Sequence, residues 1–205
     1  GFISKRVVWD NFLFDLASQQ NNISFFLDHH VSDVSVDQPG QGVTVHANET
    51  MFRARIVIGC DGAHSVVKKK MTDTKLNLSH HAGAVRAYYR DVTGICPNTF
   101  ELHFMKGLLP GYFWIFPLSD NMANVGLGLL SKKVSERRYP LRESLDHIVR
   151  SVPYIATRFE RAELVGKIEG FGLPLGSRKV PLSGERFMLC GDAGALIDPL
   201  SGEGI

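Results

Sequence analysis

The stretch GDAGALIDPLSGEGI (residues 191–205) decides how the rest of the sequence is interpreted. It follows the short apolar run FMLC, which is typical of a buried strand, so Asp192 stands just past that strand. In open α/β sheets this carboxyl edge binds ligands, and a carboxylate there can accept hydrogen bonds from ribose hydroxyls. Glycines let the backbone approach a phosphate or a ring closely. Pro199 stiffens the turn, and Gly202 and Gly204 expose N–H groups at an expected helix N-terminus, which favours negative charge.

A second stretch, in the first third of the chain, has the same pattern of an apolar run followed by a small residue and an acid. IVIGCDG (residues 56–62) is an apolar run that ends in Asp61 and Gly62, and its lack of alternation is typical of a strand buried on both faces. Either stretch alone fits an ordinary glycine-rich turn with a capping acid equally well. The two together favour a nucleotide-binding site.

The segments between these turns indicate where that α/β unit is interrupted. A helix is predicted over residues 7–20 from apolar spacing, and another over residues 141–152 between two prolines. Short strand-like runs follow the first helix, and a series of β-rich runs separated by turn residues predicts consecutive antiparallel strands in the middle of the chain. The early runs are ISFFL (23–27), VSDVSV and VTVHA, and the middle runs are AGAVRAYYRDV, FELHFM, GYFWIFPL and MANVGLGLL.

Composition excludes several classes of function. The net charge of the 205-residue chain is +2, and its basic clusters lack interleaved aromatic residues, so nucleic acid is not an expected partner. Three widely spaced cysteines without a CxxC pattern favour a reducing compartment, and the histidine pairs lack a third ligand, so no metal site is expected. No apolar run reaches the roughly 18 residues of a membrane span. The sequence therefore predicts a soluble, cytoplasmic protein.

Three motifs carry a family resemblance. IGCDGAHSVVKK (58–69) resembles the DG motif of the group A flavoprotein monooxygenases, whose fold is that of p-hydroxybenzoate hydroxylase. CGDAGALIDPLSGEGI (190–205) resembles their GD motif and is especially similar to the geranylgeranyl reductase branch. PGYFWIFP (110–117) resembles the YxWxFP signature of that branch. More loosely, KRVVWDNFL (5–13) is similar to the start of an arginine-containing helix in this family.

The resemblance implies a fold and a cofactor. The fold would be mixed α/β (α+β), with a partial FAD/NAD(P)-binding Rossmann-like domain interrupted by an antiparallel-sheet substrate domain. The expected domains are residues 1–78, residues 79–182 and a return over residues 183–205. FAD is the expected cofactor, and NAD(P)H or another donor would reduce it. By analogy, the residues expected to contact FAD are Arg6, Asp61, Gly62, Gly191, Asp192, Pro199, Gly202, Glu203, Gly204 and Ile205.

The implied function is a geranylgeranyl reductase, in which reduced flavin passes a hydride to carbon–carbon double bonds of an isoprenoid. Tyr112, Trp114 and Phe116 are the expected pocket for this small apolar prenyl substrate, with no catalytic acid or base assigned. An aromatic strand is also typical of a plain hydrophobic core, so the pocket assignment depends on the resemblance to the YxWxFP signature. The alternatives are an FAD-dependent aromatic hydroxylase that uses a flavin C4a-hydroperoxide, and a flavin fold that has lost its cofactor. Because prenyl substrates reside in bilayers, peripheral membrane contact is compatible with the reductase.

Two departures from the family pattern are visible. Lys68 stands where the DG motif usually ends in arginine, which keeps the charge and loses the bidentate fork. The sequence also has no strand followed by a GxGxxG turn, with which the family opens. We therefore expect this sequence to be an internal segment of a longer enzyme, which alone would bind FAD poorly.

Overall fold

A computed structural model describes residues 3–37 and 41–204. The helices in this part of the chain are α1 (Arg6–Ser18), α2 (Val66–Met71), α3 (Ser131–Arg137), α4 (Leu141–Ser151) and α5 (Pro153–Phe159). The strands are β1 (Val31–Val36), β2 (Val43–Ala47), β3 (Thr50–Ala54), β4 (Val57–Gly59), β5 (His81–Arg90), β6 (Glu101–His103), β7 (Gly111–Pro117), β8 (Met122–Leu130), β9 (Glu163–Pro174), β10 (Ser183–Gly184) and β11 (Phe187–Leu189). This mixture, with its antiparallel sheets, confirms the predicted fold class.

The chain forms two compact units. The described residues of the first, the sheet unit, are 3–25 and 83–171. Those of the second, the nucleotide-edge unit, are 26–37, 41–82 and 172–204. The backbone therefore leaves the nucleotide-edge unit after residue 82 and re-enters it at residue 172.

The sheet unit is built on a five-stranded sheet with the strand order β6-β7-β8-β5-β9. Along β7 the buried side chains of Phe113, Ile115 and Pro117 alternate with half-buried ones, the period of a strand with two different faces. The buried face packs on α4 and α5 in one hydrophobic core, to which Leu145 and Ile155 contribute fully buried side chains.

Helix α4 confirms the predicted helix to within one residue at its end. Leu145, Ile148 and Val149 recur at the spacing that places them on one helical face, and all three are buried. Pro153, which the sequence analysis treated as the stop of this helix, also occupies the first turn of α5. Proline is well tolerated there because its missing N–H would have no helical partner.

The nucleotide-edge unit contains two three-stranded sheets. Strands β1, β2 and β3 form an antiparallel meander, and the second sheet has the order β10-β11-β4. Helix α2 contributes Val67 to a core that also contains Val34, Phe187 and Leu189. Ile58 of β4 is 54% exposed because no described element covers its side of the sheet, so the predicted burial of this strand on both faces is wrong.

Two other expectations about local structure differ from the observed fold. Residues 23–27, predicted as a strand, are irregular and pair with no strand in the described part of the chain. The run 163–170, which includes two glutamates, a lysine and two glycines, was not predicted as a strand and forms most of β9. β9 is an edge strand, where pairing to the neighbouring β5 outweighs weak β-propensity.

Candidate functional site

The two aspartate turns lie side by side at one edge of the second sheet. Strands β4 and β11 pair in parallel, with Leu189 opposite Gly59. The amide of Cys190 donates to the carbonyl of Gly59 at 2.9 Å, so the pairing continues to the ends of both strands. Because both strands run in the same direction, Asp61 and Asp192 leave the sheet at the same carboxyl edge, where α/β sheets bind ligands.

Asp61 caps the helix that follows it. Its Oδ2 accepts hydrogen bonds from the amides of Val66 at 2.7 Å and Val67 at 3.2 Å. The Oγ of Ser65 accepts a third, from the amide of Lys68 at 2.9 Å. The first turn of α2 is thus satisfied by the chain itself, which is the capping role left open for this acid.

Gly62 differs from its neighbours because its backbone requires glycine while its surroundings are open. Its φ is +75°, a conformation that side-chain-bearing residues rarely adopt. A Cβ at this position would meet no atom within 4 Å. The turn after β4 therefore leaves space beside its backbone, as a bound group would require.

The second turn brings its own end back to its aspartate. Gly191 has a φ of +55° and begins a 3-10 turn over Gly191–Gly194. A Cβ on Gly204 would lie 2.7 Å from Oδ1 of Asp192, so a side chain there would displace the carboxylate. Gly202, with a φ of +72°, allows the backbone to turn back. The glycines of this stretch thus let the main chain lie against the carboxylate.

Asp198, which the sequence analysis did not assign, holds the loop between these glycines. Its Oδ1 accepts from the amides of Leu200 at 3.1 Å and Ser201 at 2.7 Å, and from the hydroxyl of Ser201 at 2.8 Å. These bonds, the Ser201 amide first, lower the pKa of Asp198. Its own amide donates to the carbonyl of Glu203 at 2.8 Å, so Pro199 lies in a closed loop. An aspartate before Pro and Ser is a recognisable turn signal that could have identified it.

Lys68, the residue that replaces the family's arginine, is electrostatically coupled to both acids. Desolvation, followed by the charge of Arg178, lowers the pKa of Lys68, while Asp61 and Asp192 oppose that shift. Its ammonium also contacts the carbonyl of Ala63 at 3.5 Å. The edge therefore combines two carboxylates with two basic side chains.

One of the residues expected to contact FAD belongs to the sheet unit, and another lies outside the described residues. Arg6 belongs to the sheet unit, at the first turn of α1, where its guanidinium forms an exposed ion pair with Asp10 at 3.1 Å. Ile205 lies outside the described residues. The role of each in cofactor binding stays a prediction.

The predicted substrate residues share one face of the sheet unit, opposite the helices. A continuous aromatic row crosses this face, with neighbouring ring centroids 5.8 to 6.1 Å apart. Its members are, in order, Phe104, Tyr112, Trp114, Phe116 and Phe100. Each of the three that lie on β7 stands opposite a small residue of β8, namely Gly128, Gly126 and Asn124. We call this face, with its aromatic row and the neighbouring glycines of β8 as its floor, the aromatic trough.

Trp114 is fixed in this row by two neighbours. Its indole N–H donates to Oδ1 of Asn124 at 3.1 Å. A Cβ on Gly126 would lie 2.3 Å from Cζ2 of the indole, so the ring covers that glycine. At Gly128 a Cβ would have only ordinary contacts, the nearest at 3.6 Å to Ala84, and the floor is less filled there.

A charged cluster that the sequence analysis missed continues this face onto β5 and β9. The guanidinium of Arg86 lies 4.3 Å from the ring centroid of Tyr88 and 5.6 Å from that of Phe171. It also pairs with Glu169 at 2.6 Å. Positions 86 and 88 alternate with the core residues of β5, which is the signal that could have placed them on the open face.

Neither a metal cluster nor a membrane-spanning helix is found in the described ranges. Across residues 3–37 and 41–204, no group of three or more His, Cys, Asp or Glu side chains has the arrangement of a metal site. Within those ranges no helix has the length and apolar character needed to cross a bilayer.

This architecture is shared with solved flavin-dependent enzymes. A crystal structure of a geranylgeranyl bacteriochlorophyll reductase-like protein from Thermoplasma acidophilum matches with a TM-score of 0.81 at 23% identity, over 97% of this chain and 49% of that one. A flavin-dependent brominase, Bmp2, matches with a TM-score of 0.79 at 18% identity, over 100% of this chain and 52% of that one. The chain thus has the fold of a class of proteins that includes a geranylgeranyl reductase-like protein and a flavin-dependent brominase.

Sequence relatives narrow this class. Residues 82–170 match the family model of the geranylgeranyl reductase catalytic domain. A digeranylgeranylglycerophospholipid reductase of Methanococcus aeolicus is 29% identical over 100% of this chain and 51% of its own length. A menaquinone reductase of Mycolicibacterium smegmatis is 31% identical over 92% of this chain and 47% of its own length. The chain is thus a relative of the geranylgeranyl reductases, as predicted, and spans about half the length of the curated relatives it matches.

Proposed function

We propose that the protein is an FAD-dependent reductase that adds hydrogen across carbon–carbon double bonds of a prenyl chain. The observation that carries this proposal is the aromatic trough of the sheet unit. It lies within residues 82–170, the range that matches the geranylgeranyl reductase catalytic domain. Relatives named for reduction of a digeranylgeranyl lipid and of menaquinone support a prenyl substrate.

The nucleotide-edge unit fits the cofactor that this reaction needs. Gly191, Gly202 and Gly204 keep the main chain close to the Asp192 carboxylate, and Gly62 leaves open space beside the turn of Asp61. A glycine-rich backbone with positive φ angles, next to a carboxylate at a strand's carboxyl edge, suits a dinucleotide. When bound, FAD supplies the hydride that adds to the double bond.

The trough suits the other reactant. A prenyl chain is a long apolar ligand with flat, branched double bonds, and pockets for such ligands are lined mainly by aromatic and aliphatic groups. Tyr112, Trp114 and Phe116 offer ring faces and edges, while Gly128 beside Tyr112 adds no side chain to the face. Their part is to bind the chain, hold one double bond in place and exclude water.

A direct test uses the full-length protein with FAD, reduced without oxygen and supplied with a prenyl lipid. Mass spectrometry should show products heavier by two hydrogen atoms for each double bond reduced. Insertion of oxygen into an aromatic compound, with rapid reoxidation of the flavin, would instead support the hydroxylase alternative. A protein that stays colourless after incubation with FAD would refute both. NAD(P)H is one donor to test in this assay.

The role of the trough is tested with a matched pair of variants. Trp114→Ala removes a ring from the open face, whereas Tyr154→Ala removes a 56% exposed ring from α5 on the helical side. Loss of one large apolar contact of about 1.5–3 kcal/mol should raise KM for the prenyl lipid about 10- to 150-fold in the first variant. KM should be unchanged in the second. Equal effects in both variants would refute the assignment of the trough.

A further inference from the structure

Two of the three cysteines meet at the end of the parallel strand pair. Cys60 directly follows β4, and Cys190 directly follows β11. Leu189 stands opposite Gly59 in this pair, and the amide of Cys190 donates to the Gly59 carbonyl at 2.9 Å, so the two cysteines lie at neighbouring strand ends. In-register neighbours point to the same side of a sheet. Both cysteines are exposed, and Cys190 is among the neighbours that raise the pKa of the Cys60 thiol.

This placement meets the geometric requirement of a disulfide. Neighbouring strands lie about 4.8 Å apart, and disulfides join residues whose Cα atoms are about 4.4–6.8 Å apart. Neither residue is inside a regular strand, so the backbone beyond Gly59 and Leu189 does not have to break ladder pairs for the sulfurs to approach. All three cysteines of the chain are thiols in this structure.

We propose that Cys60 and Cys190 form a dithiol site that closes reversibly to a disulfide when it meets a small-molecule disulfide such as oxidised glutathione. One cysteine thiolate attacks the reagent's sulfur–sulfur bond, forms a mixed disulfide and releases one thiol. The second cysteine then attacks the protein sulfur of that mixed disulfide and releases the second thiol. The two cysteines lose two electrons and two protons in total, and the reagent is reduced to two thiols.

The surroundings of Cys60 set the speed of this step. Desolvation, Cys190 and the charge of Asp61 raise the pKa of the Cys60 thiol. Because the thiolate is the attacking species, closure should be slow at neutral pH and should accelerate as the pH is raised. Cys96, by contrast, has its pKa lowered by hydrogen bonds from Thr99 and Asn98, and is therefore the matched control for simple thiol reactivity.

The test treats full-length protein with oxidised glutathione, blocks the remaining thiols and digests with trypsin. Cleavage after Arg55, Lys68 and Arg186 places Cys60 in the peptide 56–68 and Cys190 in the peptide that begins at Phe187. We expect these two peptides to appear joined, at a mass two hydrogens below their sum, and to separate after treatment with a reductant. Cys60→Ser and Cys190→Ser should lose the cross-link and retain a glutathione adduct on the remaining cysteine of the pair, whereas Cys96→Ser should retain the cross-link.

Three results would overturn the proposal. They are separate glutathione adducts on Cys60 and Cys190 without a link between them, a link from either one to Cys96, and a link that joins two chains on a non-reducing gel. The cross-link is detected directly in wild type, so the result does not depend on the folding of any variant.

Formation of the disulfide should also weaken FAD binding, an expectation that rests on the proposed function. Asp61 and Asp192 follow the two cysteines closely, so drawing the sulfurs together shifts both turns. We expect the cross-linked protein to bind FAD at least about tenfold more weakly and to recover on reduction, as measured by flavin fluorescence. Unchanged affinity in fully cross-linked protein would refute this consequence, whereas failure of the reduced protein to bind FAD would refute the proposed function.

Discussion

The glycine floor of the trough provides the sharpest test of the sheet unit. In the variant Gly126→Ala the new Cβ would lie 2.3 Å from the carbonyl oxygen of Val85 and 2.3 Å from Cζ2 of Trp114. The first contact is with backbone of the core strand β5, and the second is with a ring whose N–H is bonded to Asn124. Neither neighbour can move without loss of another interaction, so the variant overpacks the sheet.

This overpacking should lower the free energy of unfolding of Gly126→Ala. Adding a methyl group to a packed interior destabilises a protein by about 1–3 kcal/mol. A free-energy loss of that size raises the equilibrium population of the open sheet about 5- to 150-fold. Gly128→Ala is the matched control on the same strand, since its Cβ would have only ordinary contacts at 3.6 Å and beyond. Its effect should lie within about 1 kcal/mol of zero, because alanine also restricts the unfolded chain.

Hydrogen exchange measured by mass spectrometry can detect the difference in stability between the two variants in individual peptides. Peptides that cover β7 and β8 should exchange about 5- to 150-fold faster in Gly126→Ala and at nearly the wild-type rate in Gly128→Ala. If Gly126→Ala exchanges as slowly as wild type, the indole of Trp114 does not lie over that glycine. If both variants exchange fast to the same extent, the distinction between a filled and an open floor is wrong.

Three further predictions concern single interactions. Hydrogen bonds from Arg158 at 2.6 and 2.7 Å hold the pKa of Glu101 below its ordinary 4.5, so their stabilisation is present above pH 4.5 and is lost as the pH falls through the lowered value. Glu101→Gln should therefore lower the unfolding free energy on the order of 1 kcal/mol at pH 7, with the difference shrinking in acid. Ser65→Ala removes the side-chain cap of α2 and should cost about 1 kcal/mol in urea unfolding. Trp114→Phe leaves the Asn124 amide oxygen without its indole donor and should cost about 1 kcal/mol in thermal unfolding.

Each of these has a control in the same chain. Glu49→Gln in the turn between β2 and β3 changes an exposed glutamate and should leave the pH profile unaltered, so an equal acid response in both variants would contradict the role of the Arg158 pair. Ser135→Ala on α3 removes an exposed serine and should be neutral. Asn124→Ala and Trp114→Phe break the same bond, so their losses should not add in the double variant.

The parts of the fold that the sequence predicted correctly are those with strong local signals. Alternation along β7 and the three-and-four spacing of α4 each place apolar residues on one face, and the structure buries those faces. The aspartate turns also follow from local chemistry, because a short strand, a small residue and an acid already specify a strand end. What no local signal revealed was that β4 and β11 are neighbours in parallel register.

The errors in prediction arose where pairing outweighs composition. Residues 23–27 are apolar enough for a strand, yet no strand pairs with them among the described residues. The run 163–170 has poor strand formers and nevertheless extends the five-stranded sheet as β9. The proximity of Cys60 to Cys190 and the ion pair of Arg86 with Glu169 likewise depend on residues brought together by tertiary structure. Such contacts cannot be read from spacing along one segment.

The parallel pairing of β4 with β11 also sets an order of assembly during synthesis. Residue 57 leaves the ribosome long before residue 187, its partner, has been translated, and joining such distant positions is entropically costly. Residues 83–171 emerge in between and contain all the strands they need to form their own hydrogen-bonded ladders. A nascent chain should therefore complete the five-stranded sheet first, and pair β4 with β11 only as translation passes residue 189.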